Sequence, residues 1–207
     1  MLITSSAEDI AYLTKKRPGT VFAYPTETVY GLGCPITDNQ AIERIINIKG
    51  RNAAKGMIVL VSGLHQAKAL AKIDSRHELL LGRFWPGALS AVMKINSSLH
   101  ETAAYIQNGT IAIRVSPHPL AAELTRFIGP IISTSANPSG MKPANCREDI
   151  ISYGLDIDAI LDGGKIQDGL PSTLIDLTGE EPVSLREGAV PFEKILEFWN
   201  QLPLSKS

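Results

Sequence analysis

Cysteine is scarce: Cys34 and Cys146 are the only two in 207 residues. They form no CxxC and stand by no histidine cluster, so neither a disulfide framework nor a thiolate metal site is expected, and a reducing cytoplasm fits. HExxH and clustered carboxylates are missing as well, which argues against a resident metal. No GxxxxGK[ST] is present, and DGGKIQDG at 162–169 is no substitute, so any nucleotide must be held without a P-loop. GxSxG is absent, and His65, His77, His100 and His118 are scattered over helices and loops as surface or cap residues, which leaves no Ser-His-acid hydrolase to propose. No run is long and apolar enough to span a bilayer, and MLITSSAEDIAYLTKKRPG mixes acids and bases without the apolar core of a signal peptide. Charge of one sign is lacking too: 20 Lys+Arg against 21 Asp+Glu leave a formal net charge of -1. Nothing pulls the whole chain toward nucleic acid or a membrane, so an anion site has to be local.

What is present is a core. At 44% hydrophobic and 20% charged, the chain reads as one globular domain over residues 1–207. Residues 5–17 have helical periodicity, with Ser5 or Ser6 as cap, Ile10, Leu13 and Tyr12 inward, and Pro18-Gly19 as the stop. TVFAYPTETVYGLG reads as a strand, a hydroxyl-rich turn and a second extended piece. DNQAIERIINIKG is a helix capped by Asp38 and ended by Gly50, with Ile42, Ile45, Ile46 and Ile48 as its buried stripe. MIVLVS is apolar on both faces, as a strand covered by helices on each side must be. Helices at 64–72 and 75–84 follow. WPGALSAVMKI and TIAIRVS are strands, PHPLAAELTRFIG a helix, PIISTSANPSG a strand dissolving into hydroxyls, and helices and short strands then alternate to PFEKILEFWNQL. Interleaving of this kind predicts an α/β (α+β) fold with a mixed sheet.

Polar residues at strand ends are where such sheets hold ligands. Four places qualify: Thr26 to Thr28, Lys49 to Lys55, Ser133 to Asn137, and Ser172-Thr173. Lys49, Arg51 and Lys55 are consistent with a solvated helix C-terminus, where the dipole favours cations. With Gly50 and Gly56 letting the backbone approach, they also make a seat for a polyphosphate. Alternation in TIAIRVS puts Thr110, Ala112 and Arg114 on one face and Ile111, Ile113 and Val115 on the other. An arginine on a covered strand answers either a ligand's anion or a structural Asp or Glu, and both readings stay open. Arg186 in SLREG raises the same question.

PTETVYGLG, KGR with Lys55 following, AIRV with HPL after it, STSANPSG, the DGG turn, PSTLIDL and LREGAV together resemble, in that order, the YrdC-like family of threonylcarbamoyl-AMP synthases. The resemblance runs from about residue 20 to 190, and the Lys-x-Arg and Ser-x-Asn pairs are its mark. It implies a twisted mixed sheet covered by helices around a large, concave, basic cavity. It implies condensation of L-threonine, bicarbonate and ATP to threonylcarbamoyl-adenylate with release of pyrophosphate, magnesium being carried by the ATP. Partner proteins would then move the threonylcarbamoyl group to an adenosine in tRNA. Carried over by motif, Arg51 and Lys55, with Lys49 beside them, would hold the ATP phosphates. Thr110, Asn137, Asn145 and Arg186 would complete the ATP site, and Thr28, Arg114, Ser135 and Ser172 would surround threonine. An Arg fork suits the carboxylate of an amino acid, and small hydroxyls suit its amine and hydroxyl.

No protein nucleophile is required in this chemistry, because nucleotidyl transfer rests on positioning and on neutralising charge. The chain reads as the short, single-domain form, and Leu60 stands where longer relatives place a His. Two rivals remain. A concave basic surface could grip tRNA or double-stranded RNA, though the balanced charge and small-polar motifs argue otherwise. A carbamoyl-transfer paralogue is the other, but such domains occur in much longer chains with zinc-finger modules.

Overall fold

In VFAYP, Val21 and Ala23 point to one side of a sheet and Phe22 and Tyr24 to the other, and all four are fully buried. A strand covered on both faces sits inside a layered α/β structure. The computed structural model describes residues 1–50, 57–97, 103–167 and 170–203. Among them the order is β1 (Leu2–Thr4), α1 (Ala7–Lys16), β2 (Phe22–Pro25), β3 (Tyr30–Pro35), α2 (Asn39–Lys49), β4 (Ile58–Leu60), α3 (Leu64–Leu70), α4 (Ser75–Phe84) and β5 (Leu89–Lys94). There follow β6 (Thr110–Arg114), α5 (Pro119–Phe127), β7 (Ile131–Ser135), α6 (Arg147–Ser152), β8 (Ala159–Leu161), β9 (Thr173–Asp176), β10 (Val183–Arg186) and α7 (Phe192–Gln201).

Helix boundaries follow local chemistry. Ser6 caps α1 and Asp38 caps α2, each accepting from a backbone N–H three residues on, and Asp74 does the same for α4. Gly50 ends α2 with φ near 83°, a conformation open to glycine. Pro119 opens α5 in its first turn. Tyr12, expected to face inward, is 65% exposed, with the Lys16 ammonium 5.6 Å from its ring centre; the inward face of α1 is carried by Ile10 and Ala11 instead. Strand β1 was not anticipated, because three residues are too few to display a period. It pairs in parallel with β8.

The strands join in one sheet in the order β1-β8-β2-β3-β7-β4-β6-β5-β9-β10. Parallel pairs (β1/β8, β2/β8, β4/β6, β5/β9) mix with antiparallel ones. One face packs against α2, α3, α4, α6 and α7 through residues such as Leu32, Val59, Ile113, Ile45 and Trp199. The other face packs Phe22, Tyr24, Leu60, Ile131 and Leu161 against Ile10 of α1 and Leu124 of α5. Arg44 on α2 ties these layers at one end: it donates to Gly19 O and Asp158 Oδ2, each at 2.6 Å, and pairs with Asp156.

Helices α1 and α5 cover only part of their face. Leu60 and Ile131 lie beneath them, yet Ile58 and Ser133, two residues along the same strands, line a cavity. MIVLVS is therefore covered on one side through Met57, Val59 and Val61, while on the other Leu60 is fully buried and Ile58 both touches that layer and lines the cavity. Leu60 packs in that second core layer.

Candidate functional site

Strand register builds the floor of the cavity. Ser133 pairs with Ile58; β4 and β6 run parallel with Val59 opposite Ile113, which brings Ile58 level with Ala112. Ala112 pairs with Val92 and Val92 with Asp176. A row of five side chains thus crosses β7, β4, β6, β5 and β9, spanning about 19 Å at the usual strand spacing. Its middle is small and apolar and its ends are polar. All five line a cavity of about 870 Å³, a size proper to a small-molecule site.

The next row holds the charge. Arg114 pairs with Ser90, and Ser90 with Leu174. As the alternation in TIAIRVS predicts, Thr110, Ala112 and Arg114 face the cavity, while Ile111, Ile113 and Val115 are in the core. The Arg114 side chain is only 5% exposed, so its charge needs a partner. Its Nη2 donates to Glu27 Oε1, and Glu27 Oε2 accepts from Ser116 Oγ at 2.6 Å. Nη1 and Nη2 reach Thr28 Oγ1 at 3.4 and 3.3 Å, and Nε reaches Gly87 O at 3.3 Å. The two readings left open for Arg114 coexist: it has a structural carboxylate behind it and a cavity in front.

Arg186 approaches from the edge strand β10. Its Nε and Nη2 donate to Ser172 O at 3.2 and 2.9 Å, and Nη2 also lies 3.2 Å from Ser172 Oγ. Ser172 Oγ is 3.0 Å from Ser90 Oγ. Burial and the nearby Arg114 charge both hold the Arg186 guanidinium below its ordinary pKa. Among the described residues no carboxylate pairs with Arg186.

Of the residues named for threonine, Thr28, Arg114, Ser135 and Ser172 all line this cavity. Of those named for ATP, Thr110, Asn145 and Arg186 line it as well. Lys49 and Asn137 do not. The Lys49 ammonium donates to Ser135 O and Asn137 O, each at 2.8 Å, and lies 3.2 and 3.1 Å from Ser135 Oγ and Asn137 Oδ1. Asn137 Nδ2 in turn donates to Pro138 O and Met141 O. Both residues brace the loop after β7. Burial lowers the Lys49 pKa to about 8. Arg51 and Lys55 lie outside the described residues.

Sequence reasoning gives Glu27, Asp176 and Tyr24 no role and marks Ser133 only as the start of a hydroxyl-rich strand end. Glu27 sits inside PTET, between hydroxyls already singled out, and that adjacency was its only signal. Asp176 closes the floor at β9 with one carboxylate oxygen accepting from Thr178 N at 2.7 Å. Ser133 and Tyr24 form a pair: the Tyr24 hydroxyl, from a ring buried under α5, donates to Ser133 Oγ at 2.5 Å. Burial pushes that phenol well above its usual range. The ring reaches Ser133 by crossing β3 where it has no side chains. A Cβ on Gly31 would stand 3.1 Å from Tyr24 Cζ, and one on Gly33 would stand 2.9 Å from both Tyr24 Cε1 and Ile132 O. Among the described residues no three His, Cys, Asp or Glu side chains come together as a metal site, and no helix is long and apolar enough to cross a membrane.

Comparison with known proteins points one way. The Sua5/YciO/YrdC family model, described as telomere recombination, matches residues 15–188. The threonylcarbamoyl-AMP synthase of Pyrococcus abyssi is 39% identical over 184 residues, which cover 86% of this chain and 53% of that protein. The chain therefore spans about half the length of that relative. The threonylcarbamoyl-AMP synthase of Pseudomonas aeruginosa is 38% identical over 169 residues, covering 79% of this chain and 90% of the relative. The crystal structure of P. abyssi Sua5 complexed with L-threonine superposes with a TM-score of 0.84 at 34% identity, over 95% of this chain and 59% of that one.

Proposed function

Because the chain belongs to the Sua5/YciO/YrdC family, we propose that its cavity makes threonylcarbamoyl-AMP from L-threonine, bicarbonate and ATP. One observation carries the reading: two arginine forks from different strands, Arg114 and Arg186, face a single cavity, and among the described residues only Arg114 is backed by a carboxylate. A bound amino acid presents a single carboxylate and a phosphate tail several negative charges, and the cavity offers two unequal guanidinium seats.

Threonine lays its carboxylate on Arg114, with Thr28, Ser135 and Ser172 around its amine and hydroxyl. The amine nitrogen bonds to the carbon of carbon dioxide, supplied by bicarbonate on loss of hydroxide, and sheds a proton to give a carbamate. A carbamate oxygen then bonds to the α-phosphorus of ATP as the bond from that phosphorus to the bridging oxygen of the β-phosphate breaks, and pyrophosphate departs. The chain's part is to hold the reactants in line and to neutralise charge, which is what this class of reaction needs. Arg186, Arg51 and Lys55 take the phosphates, and Thr110 and Asn145 contact the nucleotide. Magnesium arrives on the triphosphate as part of the substrate. For Lys49 and Asn137 the hydrogen bonds support a narrower role: they hold the loop that presents Ser135. Cytoplasmic partner proteins would pass the threonylcarbamoyl group on to an adenosine in tRNA.

The test is pyrophosphate release by purified protein with each substrate omitted in turn. Release that needs threonine, bicarbonate and ATP together is expected, and Arg51→Ala cripples it. Release indifferent to threonine overturns the reading. RNA binding with a steep salt dependence and no turnover would assign the cavity to a nucleic-acid module instead.

A further inference from the structure

Two guanidinium groups share the cavity, and each leans on a hydroxyl: Arg114 on Thr28 and Arg186 on Ser172. Two like forks would compete for the same anion, and the more highly charged anion would take both. What separates them is Glu27. Its neighbours Thr26 and Thr28 line the cavity, whereas Glu27 does not. Its carboxylate is spoken for on both oxygens, by Arg114 Nη2 and by Ser116 Oγ, and Ser116 Oγ itself accepts from His118 N at 3.2 Å. Arg114 and Ser116 are both buried, so this carboxylate is held in a fixed place behind the guanidinium.

We infer that Glu27 is a specificity-determining residue: by cancelling the charge of Arg114 it keeps polyphosphate off the threonine seat and leaves the triphosphate to the neighbouring Arg186, with which no carboxylate among the described residues pairs. The inference rests on the reading of the cavity given above. With Glu27 in place, the Arg114 end carries no net charge but still offers directional N–H donors. A zwitterionic amino acid, itself neutral, meets no opposition there, because its carboxylate takes the fork and its ammonium feels the Glu27 field favourably. A tripolyphosphate tail brings several negative charges and no positive one, and the same field repels it. Order in the reaction follows from this. The carbamate must form beside the α-phosphorus, which requires threonine and the phosphate chain to occupy separate seats at the same time.

The experiment uses the full chain, labelled threonine in equilibrium dialysis, and inorganic tripolyphosphate as competitor. The wild type is expected to hold threonine while tripolyphosphate binds elsewhere, as calorimetry would register. In Glu27→Gln, which keeps the shape and removes the charge, tripolyphosphate displaces threonine, with at least about tenfold stronger competition than in the wild type. Glu27→Asp, which keeps the charge, still excludes it even if threonine binds more weakly. A wild type that binds threonine, together with a Glu27→Gln variant that resists tripolyphosphate equally well, overturns the inference and leaves the reading of the cavity standing. A wild type that binds no threonine removes both. Should Glu27→Gln show no cooperative melting transition, Glu27→Asp decides: displacement of threonine by tripolyphosphate in that variant refutes the role of charge, and continued exclusion upholds it.

Discussion

Lys49 and Asn137 are joined twice, the lysine ammonium standing 2.8 Å from the asparagine carbonyl oxygen and 3.1 Å from Oδ1. With the two Ser135 oxygens it faces four neutral acceptors, more than a neutral amine could serve. Burial brings its pKa down from 10.5 to about 8. Above pH ~8 the amine has lost a donor, the loop carrying Ser135 slackens, and turnover falls. In Lys49→Arg, whose charge persists, this alkaline limb should move up and out of the pH 8–9 range, which a pH–rate profile would reveal. Stability moves the other way. Between about pH 8 and 10.5 the unfolded chain keeps a proton that the folded chain has released, so the Lys49 contribution becomes more favourable to folding as pH rises through that window.

Removing the Tyr24 hydroxyl leaves Ser133 without its buried partner. Tyr24→Phe is expected to cost about 1–2 kcal/mol in denaturant unfolding. Gly33→Ala should cost more, about 1–3 kcal/mol from overpacking, since the new methyl meets a backbone oxygen that cannot move aside.

Arg44→Ala tests a part of the molecule remote from the cavity. It strips Asp158, 7% exposed, of its closest cation, leaving the more exposed Arg17 as its partner among the described residues. A loss of about 2–3 kcal/mol is expected, below the full value of a buried pair because Arg44 is partly solvated. Threonine affinity of the folded protein should stay as it was, measured well below the melting temperature.

Arg186→Ala and Ser172→Ala should divide the cavity between the substrates. The first raises KM for ATP by about tenfold or more, as expected for one lost charge-assisted contact. The second acts chiefly on threonine, though less strongly, because Ser90 remains beside it. Initial-rate kinetics with each substrate varied in turn separate the two.

Local periodicity made much of this legible. Alternation in TIAIRVS put Arg114 on one face with Thr110 and Ala112, the face that proves to line the cavity, and caps at Ser5 or Ser6 and at Asp38 marked helix starts. The resemblance supplied the names of seven residues that line the cavity, three of them (Thr28, Ser135 and Ser172) from PTETVYGLG, STSANPSG and PSTLIDL themselves. Residues whose meaning is long-range stayed hidden. Glu27 finds Arg114 across 87 positions of chain, and no local pattern announces such a partner. The floor from Ser133 to Asp176 depends on strands paired out of sequence order, and the four oxygens that Lys49 meets come from a loop 86 to 88 positions away. Tyr12 was misjudged because its apolar ring fits a helical stripe that Ile10 and Ala11 already fill.

The strands beneath the cavity each carry ligand-facing and core-facing residues in strict turn. Slippage of β6 by a single position would thrust Arg114 among Val59 and Ala91 and turn Ile111 and Ile113 out toward water. Such a molecule would collapse before it could misrecognise a substrate. The hydrophobic interior thereby acts as proofreader for the chemistry, and an intact fold guarantees that its arginine points the right way.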